Sequence, residues 1–199
     1  MTIWEKRSQC ITLLSILSVI VGAGLAVAAP FPESPMLSYA QWVPEQGDYA
    51  VVDTEANMFY LYHPDGRVLI DVAGSCQKRT VSYAGRVYDA PTPDDFWRIG
   101  EVVVHSDRIT FGDDGIFLRL FADDGKTYTK YGIHTVQGQH LFSQQNRHIS
   151  MGCVLVRKDL RLLLEKEVEL HKGGDGFMVI TVRGFNPTHP LMTLASAGA

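Results

Sequence analysis

The chain has 199 residues, of which 46% are hydrophobic and 20% charged, and its formal net charge is −4. That length supplies one domain of ordinary size with a full core and little remainder. The acidic balance, with no basic block anywhere, excludes nucleic acid and anionic lipid surfaces as natural partners.

In chain order, Lys6 and Arg7 precede an uncharged run from Cys10 to Ala29 that ends in Ala26-Val27-Ala28-Ala29-Pro30. This is the charged start, apolar middle and small-residue exit of a secretory signal, so residues 1–29 are expected to direct export to the periplasm or cell envelope. If uncleaved, residues 11–29 would tether the chain to a membrane, because the run approaches the roughly 20 residues a spanning helix needs. Beyond the leader only Cys76 and Cys153 remain, too few for a disulfide scaffold in an oxidising compartment. Cys76 is expected to be a small buried hydrophobe.

Residues 30–48 carry Pro30, Pro32, Pro35 and Pro44 and read as an arm or linker, with Trp42 as the side chain to dock it. Strands are predicted at Tyr49–Asp53, Met58–His63 and Val68–Val72, with a hairpin across Asp65-Gly66. Arg86–Tyr88 and Phe96–Ile99 flank an extended connection forced by Pro91 and Pro93. Further strands are predicted at Glu101–His105, Ile116–Phe121 and Thr127–His134, the last two joined by an Asp123-Asp124-Gly125 turn. After the short apolar run Val154-Leu155-Val156, the period changes over Lys158–His171. Leu160, Leu163, Leu164 and Val168 form the apolar stripe of a helix, with Arg157, Arg161, Glu165 and Glu169 toward solvent and Gly173-Gly174 as the stop. Phe177–Val182 closes the domain, and residues 183–199 read as a weakly ordered tail. The fold class is therefore mostly β, a barrel or sandwich over residues 49–182, with one clear helix in the C-terminal half.

The chemistry concentrates in two places, Tyr131-Gly132-Ile133-His134-Thr135 and Ser150-Met151-Gly152-Cys153-Val154, with fifteen residues between His134 and Ser150. A thiol is a weak nucleophile at neutral pH unless an imidazole takes its proton, so Cys153 as nucleophile and His134 as base form a chemical pair. Their bland alternatives are a buried thiol and a core histidine at a strand end. Gly152 lets the chain turn sharply and brings backbone N–H donors of Gly152 and Cys153 within reach of an oxyanion. Ser150 supports the motif turn. The Thr135 carbonyl is a candidate to orient the His134 ring. His148, two residues before Ser150, would share its face if the segment were a strand, and Arg147 is a candidate for a substrate carboxylate. Tyr131, Trp97 and Phe142 are candidates to line a cleft, against the commoner role of core aromatics. His134, His140, His148 and Cys153 match no common zinc spacing, so no metal is expected, and a thiol nucleophile with its base requires no organic cofactor.

These segments resemble the L,D-transpeptidase (YkuD-type) catalytic domain. The likeness rests on Val51-Val52-Asp53 through Phe59-Tyr60-Leu61-Tyr62, Ala90-Pro91-Thr92-Pro93 with Phe96-Trp97-Arg98-Ile99, Ile133-His134, Ser150-x-Gly152-Cys153 with its following helix, and the last strand. It implies a transferase of peptidoglycan biosynthesis and cell wall organisation, with effects on cell shape. Cys153 would attack an L,D peptide bond in a peptidoglycan stem peptide and form an acyl-enzyme, which a second stem's amine resolves. The same acyl-enzyme resolved by water would make an L,D-carboxypeptidase, and a domain that binds wall without turning it over is the non-enzymatic alternative. The chain departs from the family pattern at Met151, where a second His is common, at Leu155, where Arg or Asn is common, and at Asp94-Asp95, where a Gly is usual.

Overall fold

A computed structural model describes residues 35–75, 80–83 and 85–187. The leader reading over residues 1–29, Cys76 and most of the C-terminal tail lie outside them. Among the described residues no helix is long and apolar enough to cross a membrane.

The first predicted hairpin is present as β1 (Tyr49–Asp53) and β2 (Met58–Tyr62), followed by β3 (Val68–Gly74). Between β2 and β3 the Pro64-Asp65-Gly66 turn closes because Gly66 takes φ +91°, which only glycine adopts without strain. Asp65 fixes the turn by accepting from Arg67 N–H at 3.0 Å. β4 (Thr80–Tyr83) and β5 (Arg86–Asp89) form a separate two-stranded sheet. β6 (Asp95–Val104) joins the two predicted runs on either side of Gly100 into one strand, with a bulge at that glycine. The Phe121 ring occupies the space beside Gly100, 2.8 Å from where a Cβ would stand, so the strand bends there and continues.

A short helix α1 (Arg108–Phe111) follows, capped by Asp107, whose Oδ1 accepts from the N–H groups of Ile109 and Thr110, each at 3.1 Å. Then come β7 (Ile116–Ala122), β8 (Tyr128–His134), a 3₁₀ turn over Gln139–Ser143, β9 (Val154–Val156), α2 (Lys158–Leu170) and β10 (Phe177–Val182).

Of the two expected architectures the barrel is the one formed: eight strands close in the order β1-β10-β6-β7-β8-β9-β3-β2. Most neighbours are antiparallel, but β1/β10 and β8/β9 run parallel. Alternate residues of each strand point inward. Ala50, Val52, Phe59, Leu61, Leu118, Leu120, Ile133, Val154, Phe177 and Val179 meet there, joined by Leu160, Leu163 and Leu164 of α2. The N-terminal arm docks through Trp42, which is buried, stacks on His63 with ring centroids 3.8 Å apart, and donates from Nε1 to Glu167 Oε1 at 2.6 Å.

One helix expectation fails. Arg161, read as solvent-facing, is 1% exposed and pairs with Asp114 at 2.5 Å and with Glu165. It follows Leu160 on the helix, at the margin of the apolar stripe, and the loop before β7 supplies a carboxylate that makes its burial tolerable.

Candidate active site

The parallel pairing of β8 with β9 builds the site. Its register sets Ile133 beside Val154 and His134 beside Leu155. Because Ile133 points into the barrel, Gly132 and His134 face outward, and Cys153, one residue before β9, comes to lie beside Gly132. Across β7 the register sets Phe117 opposite His134 and Arg119 opposite Gly132. The outer face thus carries two rows, Phe117–His134–Leu155 and Arg119–Gly132–Cys153. His134 and Cys153 are diagonal neighbours in them. A side chain at position 132 would collide with the Phe117 ring, so the absence of a Cβ there is what lets that ring fold over the sheet toward the thiol.

His134 is 5% exposed. Its Nδ1 lies 2.8 Å from the Thr135 carbonyl, so Nδ1–H donates to that oxygen and Nε2 is left as the basic nitrogen. Phe111 and Phe117 pack around the ring at centroid distances of 4.9 and 5.7 Å. Burial lowers its pKa below the ordinary imidazole value, His105 pushes the same way, and the backbones of Thr135 and Thr110 oppose the shift. The ring is therefore neutral near pH 7.

Cys153 is partly buried and not disulfide-bonded. Burial pushes its pKa up to about 11, while the Gly132 N–H and the charges of Arg119 and Lys130 favour the thiolate. The resting pair is thus a neutral thiol and a neutral imidazole. Among the described residues no hydrogen bond joins the two, as is common before substrate tightens a catalytic contact. Both line one cavity of about 700 Å³, walled chiefly by apolar and aromatic side chains, with Arg119 and Lys130 as its cations.

The other residues singled out in the sequence divide. Gly152 takes φ +111°, and its N–H donates to Ser150 Oγ at 3.2 Å, so both residues hold the turn that presents Cys153. That bond occupies the Gly152 N–H expected to serve an oxyanion. Thr135 contributes its carbonyl to His134, and its Oγ1 accepts from Gln139 at 2.6 Å. Tyr131 packs against the core beside Trp97 and under Gly152 and is not among the cavity's lining residues; Phe142 is buried away from the cavity as well. Arg147 and His148 are not brought to the cleft. Arg147 donates to the carbonyls of Gln144 and Ala56, both at 3.1 Å, and His148 lies 3.2 Å from Asn57 Nδ2. Residues 145–150 are not a strand, so the two-residue alternation that linked His148 to Ser150 has no sheet to act through. Met151 and Leu155, the two departures in the Cys motif, both line the cavity.

Sequence reasoning missed Arg119, Lys130, Phe117, Tyr128 and Phe111. The alternation in Ile116–Ala122, with Leu118 and Leu120 inward, carried the signal for Phe117 and Arg119, but their place beside Cys153 required the β7–β8 register.

Fold and site together give a β-barrel domain with a cysteine and a histidine lining one open cleft. No protein-family profile matches the chain, and no curated protein matches it. Among solved structures it is similar to part of an L,D-transpeptidase from Xylanimonas cellulosilytica, at 23% identity and a TM-score of 0.45, over 72% of this chain and 66% of that one. It is similar to an L,D-transpeptidase from Mycobacterium smegmatis at 19% identity and a TM-score of 0.45, over 68% and 58% of the two chains. The catalytic domain of the Enterococcus faecium L,D-transpeptidase matches at 19% identity and a TM-score of 0.43, over 69% of this chain and 98% of that one. This chain spans between half and two thirds of the length of the solved structures it matches first. The description these structures carry, L,D-transpeptidase, is the family that the sequence motifs resemble.

Proposed function

We propose that the protein is an exported L,D-transpeptidase that transfers peptidoglycan stem peptides through a thioester on Cys153. The observation that carries this reading is the diagonal placement of Cys153 and His134 on one outer sheet face, opening into one cavity. In the acylation step the Cys153 S–H proton passes to His134 Nε2 as the sulfur bonds to the scissile carbonyl carbon. The C–N bond then breaks, and the same proton leaves on the departing amine. In the second step an acceptor amine attacks the thioester, gives its proton through His134, and releases Cys153 as the thiol. The Thr135 and Thr110 backbones, which favour the protonated ring, would stabilise the imidazolium that forms between these transfers.

Water in place of the amine would give an L,D-carboxypeptidase. Purified protein incubated with a labelled tetrapeptide stem and an amine acceptor tests the choice. Transfer gives a product that contains both components, whereas free tripeptide alone would assign the chain to hydrolysis. Retained binding to sacculi with no reaction of either kind would leave a wall-binding domain.

A further inference from the structure

The buried charge on α2 reaches the cleft by way of a loop. Arg161 follows Leu160, which packs in the core, and is itself 1% exposed. Its Nη2 donates to Asp114 Oδ2 at 2.5 Å, and Asp114 Oδ1 accepts from Ile116 N–H at 3.3 Å, so one carboxylate joins α2 to the start of β7. Asp114 lies in the loop that α1 begins. His105 N–H donates to the Gly115 carbonyl at 2.8 Å and Gly115 N–H to the Gly112 carbonyl at 3.0 Å, which ties the two ends of that loop together. Gly112, at φ +76°, rests so closely on Thr135 that a Cβ would stand 2.4 Å from Thr135 Cγ2. Thr135 supplies the carbonyl that holds His134 Nδ1. From α1 itself the Phe111 ring packs on His134, and the Thr110 backbone faces the imidazole. The surroundings of the ring thus depend on where α1 lies. On its other side α1 is held more slackly, the bond from Gln137 N–H to the Ile109 carbonyl being 3.4 Å long.

From this geometry we infer that Arg161 is a positioning residue for His134, acting through Asp114 and α1. The inference rests on the acyl-transfer reading for what His134 does, and not for where its ring sits. A guanidinium suits the task, because its planar fork serves Asp114 and Glu165 together and keeps its charge at any pH at which the protein folds. Without the Asp114 tie α1 would lift, taking Phe111 and Thr110 from the ring. Burial is the chief cause of the lowered His134 pKa, so the better hydrated ring would titrate closer to its ordinary value; the lost Thr110 backbone works the other way and is the smaller effect. The other titratable or charged groups at the ring or its cavity are His105 beyond β6, Arg119 on β7, Lys130 on β8 and Cys153 before β9. On α1 and its cap, Asp107 is spent on the helix N–H groups and Arg108 lies against Gly115.

Two readouts on the full chain test this: the imidazole titration of His134 followed by NMR, and the pH profile of the acylation rate. Arg161→Met and Asp114→Ala should each move the titration to higher pH and lower the acylation rate at pH 7 by about 10- to 100-fold, the scale of a small misplacement, with the deficit narrowing toward alkaline pH. The two substitutions change charge in opposite senses. A plain field effect would therefore shift the imidazole up in the first and down in the second, whereas displacement of α1 shifts it up in both. The double variant should shift it no further than either single one. Glu165→Gln, which strips the other carboxylate from the same guanidinium, should leave the titration in place. Thermal midpoints measured alongside register the lost ion pair, and Asp114→Ala, at a partly exposed position, keeps the test open if Arg161→Met does not fold. Shifts of opposite sign, a lowered midpoint with an unmoved titration, or an equal shift in Glu165→Gln would each overturn the positioning role. Titrations that move as expected in a protein that turns over no stem would remove the acyl-transfer reading and keep the positioning role, while turnover with an unmoved titration does the reverse.

Discussion

His134 and His63 are both buried imidazoles with Nδ1 fixed by an oxygen less than 3 Å away, yet they sit in different surroundings. His63 bonds the Asp48 carboxylate at 2.7 Å, is 1% exposed, and lies flat against Trp42. By pairing alone it looks more like a catalytic dyad than His134, whose partner is only a backbone carbonyl. Its Nε2 is buried without a hydrogen-bond partner among the described residues. Its ring, Asp48, Trp42 and Glu167 instead lock the N-terminal arm to β2 and α2. His134 has the weaker partner and the stronger position, with a thiol diagonal to it and open volume in front. Access and a neighbouring thiol mark the candidate site; a strong hydrogen bond to histidine does not.

The most direct way to break this contrast is to mutate both rings. His134→Ala should lower the acylation rate by about 10²- to 10⁴-fold, the usual worth of a positioned base. His63→Gln should leave kcat/KM within about twofold and lower the thermal midpoint, in keeping with the roughly 1–3 kcal/mol cost of disturbing a buried, charge-assisted hydrogen bond. A His134 variant with an unchanged acylation rate would remove that residue from the mechanism.

The ionisation of the pair sharpens the comparison next. Because His134 is lowered below its ordinary value, the acylation rate should reach its plateau at a more acidic pH than an unperturbed imidazole allows. Alkylation of Cys153 by iodoacetamide in the free protein should climb through the alkaline range, because the thiol is raised to about 11. Alkylation already at its plateau near pH 7 would mean a resting thiolate–imidazolium pair instead. His134 also contributes to stability: the unfolded state binds its proton more readily, so stability rises with pH through the imidazole range and is lost as pH falls below it.

Gly132→Ala probes the packing that joins the two rows. The new methyl meets the Phe117 ring, so a loss of about 1–3 kcal/mol in unfolding free energy is expected from overpacking, with activity lost as Phe117 moves off His134. The smallest effect belongs to the arm. Burial raises Glu167 far above the usual carboxyl range, the Trp42 N–H opposes this, and nearby Asp48 adds to it. The folded state therefore holds that proton to higher pH than the unfolded chain does, and the stability tied to it falls as pH rises from the ordinary carboxyl range through the raised value. Glu167→Gln should flatten that decline in denaturant titrations, since the amide keeps a neutral acceptor for Trp42.

The strands were legible because alternation survives in a barrel whose inner face is apolar, as in Phe59–Leu61 and Leu118–Leu120. The helix from Lys158 was legible from its leucine spacing, but the burial of Arg161 was not, since its partner Asp114 is distant in sequence. α1 is a single turn, too short to show a period. Cys153 and His134 stood out as residue types in a motif, whereas Arg119 and Lys130 look like ordinary strand charges until β7, β8 and β9 are aligned. His148 and Arg147 were drawn toward the site by proximity in sequence. Their side chains instead reach back to the turn between β1 and β2, a contact that no local pattern encodes.

The central claim is that Cys153 carries the acyl group. Intact-protein mass spectrometry after exposure to a tetrapeptide stem, followed by peptide mapping, tests it most directly. A mass gain equal to the tripeptidyl acyl group is expected, mapped to Cys153, absent in Cys153→Ala and slowed in His134→Ala. Stem turnover that persists in Cys153→Ala, or an acyl group mapped to another residue, would contradict it.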